Sequence, residues 1–206
     1  MLNATSGRAG PGVGARACSR GMSLIEMLIG MGIMVLLLFI AVPDFSMWMA
    51  NSRIRTAAES IQDGLRFARA EAVRQNTPVR FQLTAASSDW TVCVPVQTGS
   101  VDCNGGTVLQ THSGIEAVGP ITVGGWTTQG NGYGAPSTAG TPNGVTFNTL
   151  GGSSNAGDLT RIDVVNPTIV NAANMRWLAV NISPSGQIAM CDPSPSLAAN
   201  NPFHCN

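Results

Sequence analysis

The chain has 206 residues, enough for one ordinary domain plus an appendage. Only 11% of them are charged, every basic side chain is an arginine, and the formal net charge is zero. The chain as a whole therefore offers no electrostatic case for a nucleic-acid partner. The charge is unevenly placed: residues 1–21 carry Arg8, Arg16 and Arg20 and no acid, and after Arg80 only Arg161 and Arg176 face six acids.

The first element expected is an apolar helix. Met22–Val42 contains Glu26 as its only charge. At ~1.5 Å per residue this run would reach ~31 Å as a helix, about one hydrocarbon thickness. A secretory signal peptide fits poorly, because a cut after Ala50 would put Trp48 at the third position before it. A plain membrane anchor explains the length but not Glu26, since a lone carboxylate in hydrocarbon costs about 3 kcal/mol or more.

The stretch "RGMSLIEM", Arg20–Met27, resembles the type IV prepilin signature of a basic leader ending in glycine followed by an apolar helix with an early glutamate. The resemblance implies cleavage between Gly21 and Met22 by prepilin peptidase, and methylation of the new Met22 amine by the same enzyme. Glu26 becomes the fifth residue of the processed chain, and Pro43 falls where the family commonly has a proline. The family's usual first residue is Phe, so Met22 is a departure. Glu26 reads as an assembly residue. It is costly alone in lipid, but a neighbouring subunit's N-terminal amine and free helix N–H groups would satisfy it.

Pro43, lacking an N–H, is expected to kink the helix. Beyond it Ile54, Ala57, Ile61, Leu65, Ala68 and Ala72 recur at helical spacing, an amphipathic stripe over 44–76. Arg53, Arg55, Glu59, Asp63, Arg66 and Arg74 occupy other faces and read as a solvated face. "NTP", Asn76–Pro78, stops the helix, which runs from about Met22 to about Gln75 with Gly30, Gly32 and Gly64 as soft points. From 77 to 206 the texture is β-rich. Seven segments ("VRFQLTA", "DWTVCVPV", "TVLQTH", "GVTFNT", "LTRIDVV", "RWLAVNIS" and "GQIAM") read as strands bounded by turn residues. Between them 119–144, with eight glycines, reads as a long loop or loosely paired hairpin.

"SRIRTAAESIQDGLRFARAEAVRQNTPVRF", Ser52–Phe81, resembles the GspH/FimT branch of pseudopilins and minor pilins; "GVTFNTLG" and "RWLAVNISPSGQIAMC" match it more loosely. The resemblance implies an α+β, pilin-like fold: a long N-terminal helix packed on a mostly antiparallel β-sheet body. It implies a structural subunit that helps initiate or cap a type IV pilus or a type II secretion pseudopilus. The implied location is a single pass through the inner membrane with the body in the periplasm, and later the filament. Implied partners are prepilin peptidase, other major and minor pilins or pseudopilins, the inner-membrane assembly platform and membrane lipid.

Cys18 lies in the leader. The remaining four, Cys93, Cys103, Cys191 and Cys205, suit disulfides in an exported domain. Of three connectivities, Cys93–Cys103 with Cys191–Cys205 closes the shortest loops. A metal site from Cys191, His204 and Cys205 is the alternative, without paired C-x-x-C spacing. No catalytic or cofactor-binding motif stands out: "GNGYGA" imitates a dinucleotide loop but has no helix behind it. His112 and His204 read as surface residues. DNA-capturing FimT-like proteins carry a Gly-Arg-x-Arg segment near the C-terminal cysteines, and the matching place here is Gly186-Gln187-Ile188-Ala189. Both arginines are absent, so the DNA-binding reading rests on the helix arginines or on Arg161 and Arg176.

Overall fold

In the computed structural model, residues Leu24–Gln75 form one α-helix, α1. The structure describes residues 22–84, 87–96, 102–114, 121–126, 144–153, 157–166, 177–193, 201 and 203–205, without the side chains of 40–46. Gly21 and the leader expected over 1–21 lie outside the described residues. The helix opens on the Ser23 carbonyl, which accepts the N–H groups of Glu26 and Met27 at 3.0 and 3.2 Å. Glu26 in its first turn and Arg74 in its last complement the helix dipole. The stop has a mechanism. Asn76 takes the left-handed conformation, φ 51°, and the Thr77 N–H returns to the Ala72 carbonyl at 3.3 Å. That pattern satisfies a carbonyl the helix would otherwise leave open, and Pro78 prevents continuation.

The chain divides into two compact units, Met1–Asp44 and Phe45–Asn206. In the first, every large apolar side chain described from Met22 to Phe39 is exposed, Val35 least at 46% and Phe39 most at 80%. Among the described residues no helix is long and apolar enough to cross a membrane. The apolar run expected over 22–42 continues into residues whose side chains are not described, and the Pro43 side chain is among these.

The second unit holds the core. Ile54, Ala57, Ile61, Leu65, Ala68 and Ala72, the stripe expected from spacing, are all at most 2% exposed, with Ala58 beside them. They join one cluster with residues of two four-stranded sheets. The strands are β1 (Val79–Leu83), β2 (Trp90–Val94), β3 (Thr107–His112), β4 (Thr122–Trp126), β5 (Gly144–Phe147), β6 (Arg161–Val165), β7 (Leu178–Ile182) and β8 (Ile188–Cys191). One sheet runs β3-β2-β1-β5 and the other β4-β6-β7-β8, with every strand pair antiparallel. The fold is α+β, a long N-terminal helix packed on antiparallel sheets.

Two local expectations need correction. The glycine-rich stretch 119–144 contains a strand: Thr122–Trp126 pairs residue for residue with Val165–Arg161. Its glycines mimic loop text, and only the partner strand decides the pairing. The remainder, 127–143, lies outside the described residues. Gly64 is a packing position rather than a soft point. A Cβ there would come 2.8 Å from Phe81 Cε2 and 2.9 Å from Trp90 Cε2. The missing side chain is what lets β1 and β2 bring their aromatic pair, centroids 5.7 Å apart, against the helix.

Candidate functional site

At the start of α1 the sequence places an exposed Met22 and, one turn on, the exposed carboxylate of Glu26. Among the described residues nothing bonds to that carboxylate. Around it stand Leu24, Ile25, Met27, Leu28 and Ile29, all more than half exposed. A Cβ at Gly30 or Gly32 would meet nothing within 4 Å. The segment is thus a smooth apolar rod with one acid near its tip. In water this exposes a large apolar area at about 25 cal/mol per Å².

The body's arginines are mostly committed. Arg80, 1% exposed, donates from Nη1 to Thr146 Oγ1 at 2.8 Å and to Asp158 Oδ1 at 3.2 Å. Asp158 Oδ2 in turn accepts the Thr146 N–H at 2.9 Å. Arg161 is held by Asp163 at 2.7 Å, and the other Asp163 oxygen takes the Trp126 indole N–H at 2.6 Å. Both pairs are buried, so neither cation is presented to a phosphate. On the helix, Arg55 pairs with Glu59 at 2.8 Å, Arg66 with Asp63 at 3.9 Å and Arg74 with Glu71 at 2.7 Å. Arg74 and Gln75 both donate to Glu71, and the Arg74 hydrogen bond holds its carboxyl below the usual carboxylate range. Arg176 lies outside the described residues. Arg80 and Arg161 are thus removed from a DNA-binding reading, which is left to the exposed helix arginines, whose surface ion pairs are weak.

Arg69 does something the sequence reading missed. Its Nε donates to the Gly151 carbonyl at 3.1 Å, tying the helix to the turn after β5. Asn148 closes that turn, its side-chain oxygen accepting the N–H groups of Leu150 and Gly152 at 2.9 and 3.0 Å. The next turn, Ser183–Gly186, docks on it through Ser153 N–H to Pro184 carbonyl at 3.1 Å. Gly186, φ 78°, sits so close that a Cβ would lie 1.8 Å from the Gly151 oxygen. The place matched to the DNA-capture segment is therefore a tight structural joint. Its only sequence signals were the turn texts "NTLGG" and "SPSG". Leu150 stands at the tip, 89% exposed.

Both short-loop disulfides are formed, Cys93–Cys103 and Cys191–Cys205. The second ties the tail to β8, helped by a parallel backbone pairing of Asp192 with His204, in which the Asp192 N–H reaches the Phe203 carbonyl at 2.6 Å and the Cys205 N–H the Asp192 carbonyl at 3.4 Å. Its sulfurs are bonded to each other, so the alternative Cys191–His204–Cys205 metal set has no thiolate to offer. His204 is half-buried with an unpartnered Nδ1, and His112 stacks on Trp90 with centroids 5.4 Å apart. Neither is the simple surface histidine expected. Beside the tail, Trp48, Asn51, Ile54, Leu178, Met190 and Phe203 line an open groove of about 670 Å³.

The family model described as type II transport protein GspH matches residues 57–186. No curated protein sequence matches the chain. Among solved structures, the chain is similar to the type IV minor pilin FimU of Pseudomonas aeruginosa strain PAO1 in two crystal forms. In one, 69% of this chain covers 91% of FimU at 19% identity and a TM-score of 0.45; in the other, 66% covers 90% at 20% identity and 0.40.

Proposed function

Because the chain belongs to the GspH family, we propose that it is a minor subunit of a type IV pilus or type II secretion pseudopilus, inserted through its N-terminal helix and acting at initiation or capping. The observation that carries this reading is the exposed apolar rod Met22–Phe39 with Glu26 as its only charge, joined in sequence to a body that has its own core. A rod of that kind gains only when other apolar surface covers it, first lipid and then the helices of neighbouring subunits. Prepilin peptidase cuts after Gly21 and methylates Met22. The inner membrane holds the run 22–42 before assembly, Pro43 bends the helix, and the assembly platform receives the subunit.

Glu26 supplies the direction. Unpaired in hydrocarbon it is costly, and a neighbour's N-terminal amine removes that cost. The test is Glu26→Ala expressed beside the parent. The variant is expected to be processed and membrane-held, but depleted from filaments sheared off the cell surface or, in a secretion system, from cross-linked pseudopilus. Parental incorporation of Glu26→Ala would refute the pairing.

A further inference from the structure

Given the membrane-held helix proposed above, the geometry points to a second lipid contact on the body itself: the groove rimmed by Trp48 and Phe203 seats on the headgroup zone of the bilayer before the subunit enters a filament. Trp48 is 65% exposed and Phe203 69%, two large aromatic side chains facing solvent on the rim of one groove. They belong to two separate segments. Trp48 lies on α1, whereas Phe203 lies on the tail that the Cys191–Cys205 disulfide and the Asp192 backbone bonds hold in place. The tail is thus fixed so as to present its aromatic ring beside the helix.

The chain's reach makes lipid the nearest apolar medium. Trp48 follows Val42, the end of the apolar run, by six residues. Six residues span at most about 22 Å in any arrangement. The groove mixes Trp48, Phe203, Leu178 and Met190 with Asn51, Ser52, Arg55 and Asp192. That mixture of aromatic bodies and polar groups suits the layer between acyl chains and water, where tryptophan is favoured. Charge adds little, because Arg55 is already paired with Glu59 and Asp192 lies on the same rim. The contact is therefore aromatic, and indifferent to headgroup charge.

The test uses the full chain reconstituted in phosphatidylcholine vesicles, with bromines placed either near the headgroups or at the chain ends. Flotation reports insertion of the helix, and quenching of tryptophan emission reports the body contact. Headgroup-proximal bromines are expected to quench more than chain-end bromines, and Trp48→Ala is expected to lose at least half of that quenching while still floating. Phe203→Ser is expected to weaken it in the same direction, and Leu150→Ser, an exposed apolar position on the Arg69-held turn, to leave it unchanged. Flotation with equal quenching in the parent and Trp48→Ala overturns the contact and leaves the groove to a protein partner. Quenching that needs anionic lipid and vanishes with salt overturns its aromatic basis. Failure to float removes the membrane-held helix itself, and this contact with it.

Discussion

Asp158→Ala removes the acceptor that makes the burial of Arg80 tolerable. Arg80 is 1% exposed, and its Nη1 has only Thr146 Oγ1 and Asp158 Oδ1 as bonded partners among the described residues. Its Nε has none. The same carboxylate accepts the Thr146 backbone N–H, so one substitution strands a buried cation and a buried amide. Breaking a buried pair by removing one partner costs about 3–5 kcal/mol. At about 2–4 °C per kcal/mol for a domain of this size, Tm falls by roughly 6–20 °C. The assay is urea and thermal unfolding of the full chain in detergent, followed by circular dichroism. The double change Arg80→Met with Asp158→Leu fills similar volume without charge, and is expected to recover most of the loss. A cost below about 1 kcal/mol for Asp158→Ala would refute the claim that the pair is desolvated and mutually dependent.

Gly64→Ala pushes a methyl to 2.8 Å from the Phe81 ring and is expected to destabilise by about 1–3 kcal/mol in the same unfolding assay. Replacing Cys191 and Cys205 together by serine frees a tail held by a sequence separation of 14. The expected loss is about 3 kcal/mol, with earlier proteolysis after Asp192 by mass spectrometry. For Glu71 the sign follows from its lowered pKa. Its stabilising contribution is present above the unfolded carboxylate range and is lost as pH falls through the depressed folded value. Stability measured across that acid window should therefore fall less steeply in Glu71→Gln than in the parent. Gly186→Ala meets the Gly151 oxygen and a left-handed backbone, so it is expected to lower Tm more than Ala189→Gly on the adjoining strand, by differential scanning fluorimetry.

Much of the body was legible because its signals are local. The stripe from Ile54 to Ala72 shows in the spacing alone, since a helix that must bury one face repeats its apolar residues every three or four positions. The stop at Asn76–Pro78 follows from the conformational limits of two residues. Seven of the strands stand out as β-branched runs between turn residues, and the disulfide partners lie within 10 and 14 residues of each other. Glu26 in its apolar run needs no fold at all to be conspicuous.

Only tertiary structure decided the rest. Arg80 meets Asp158 across 78 positions and Arg69 meets Gly151 across 82, so no window of neighbouring residues reveals either. Strand β4 carries two glycines in five residues, and it is a strand because β6 returns to pair with it. Gly64 looks like a weak point in a helix until Phe81 and Trp90 arrive from two different strands to fill the space. Propensity, capping and periodicity act over a few residues and are written in their order. Pairing partners, charge burial and close approach depend on which distant segments the fold brings together, and the packing of the whole body determines that.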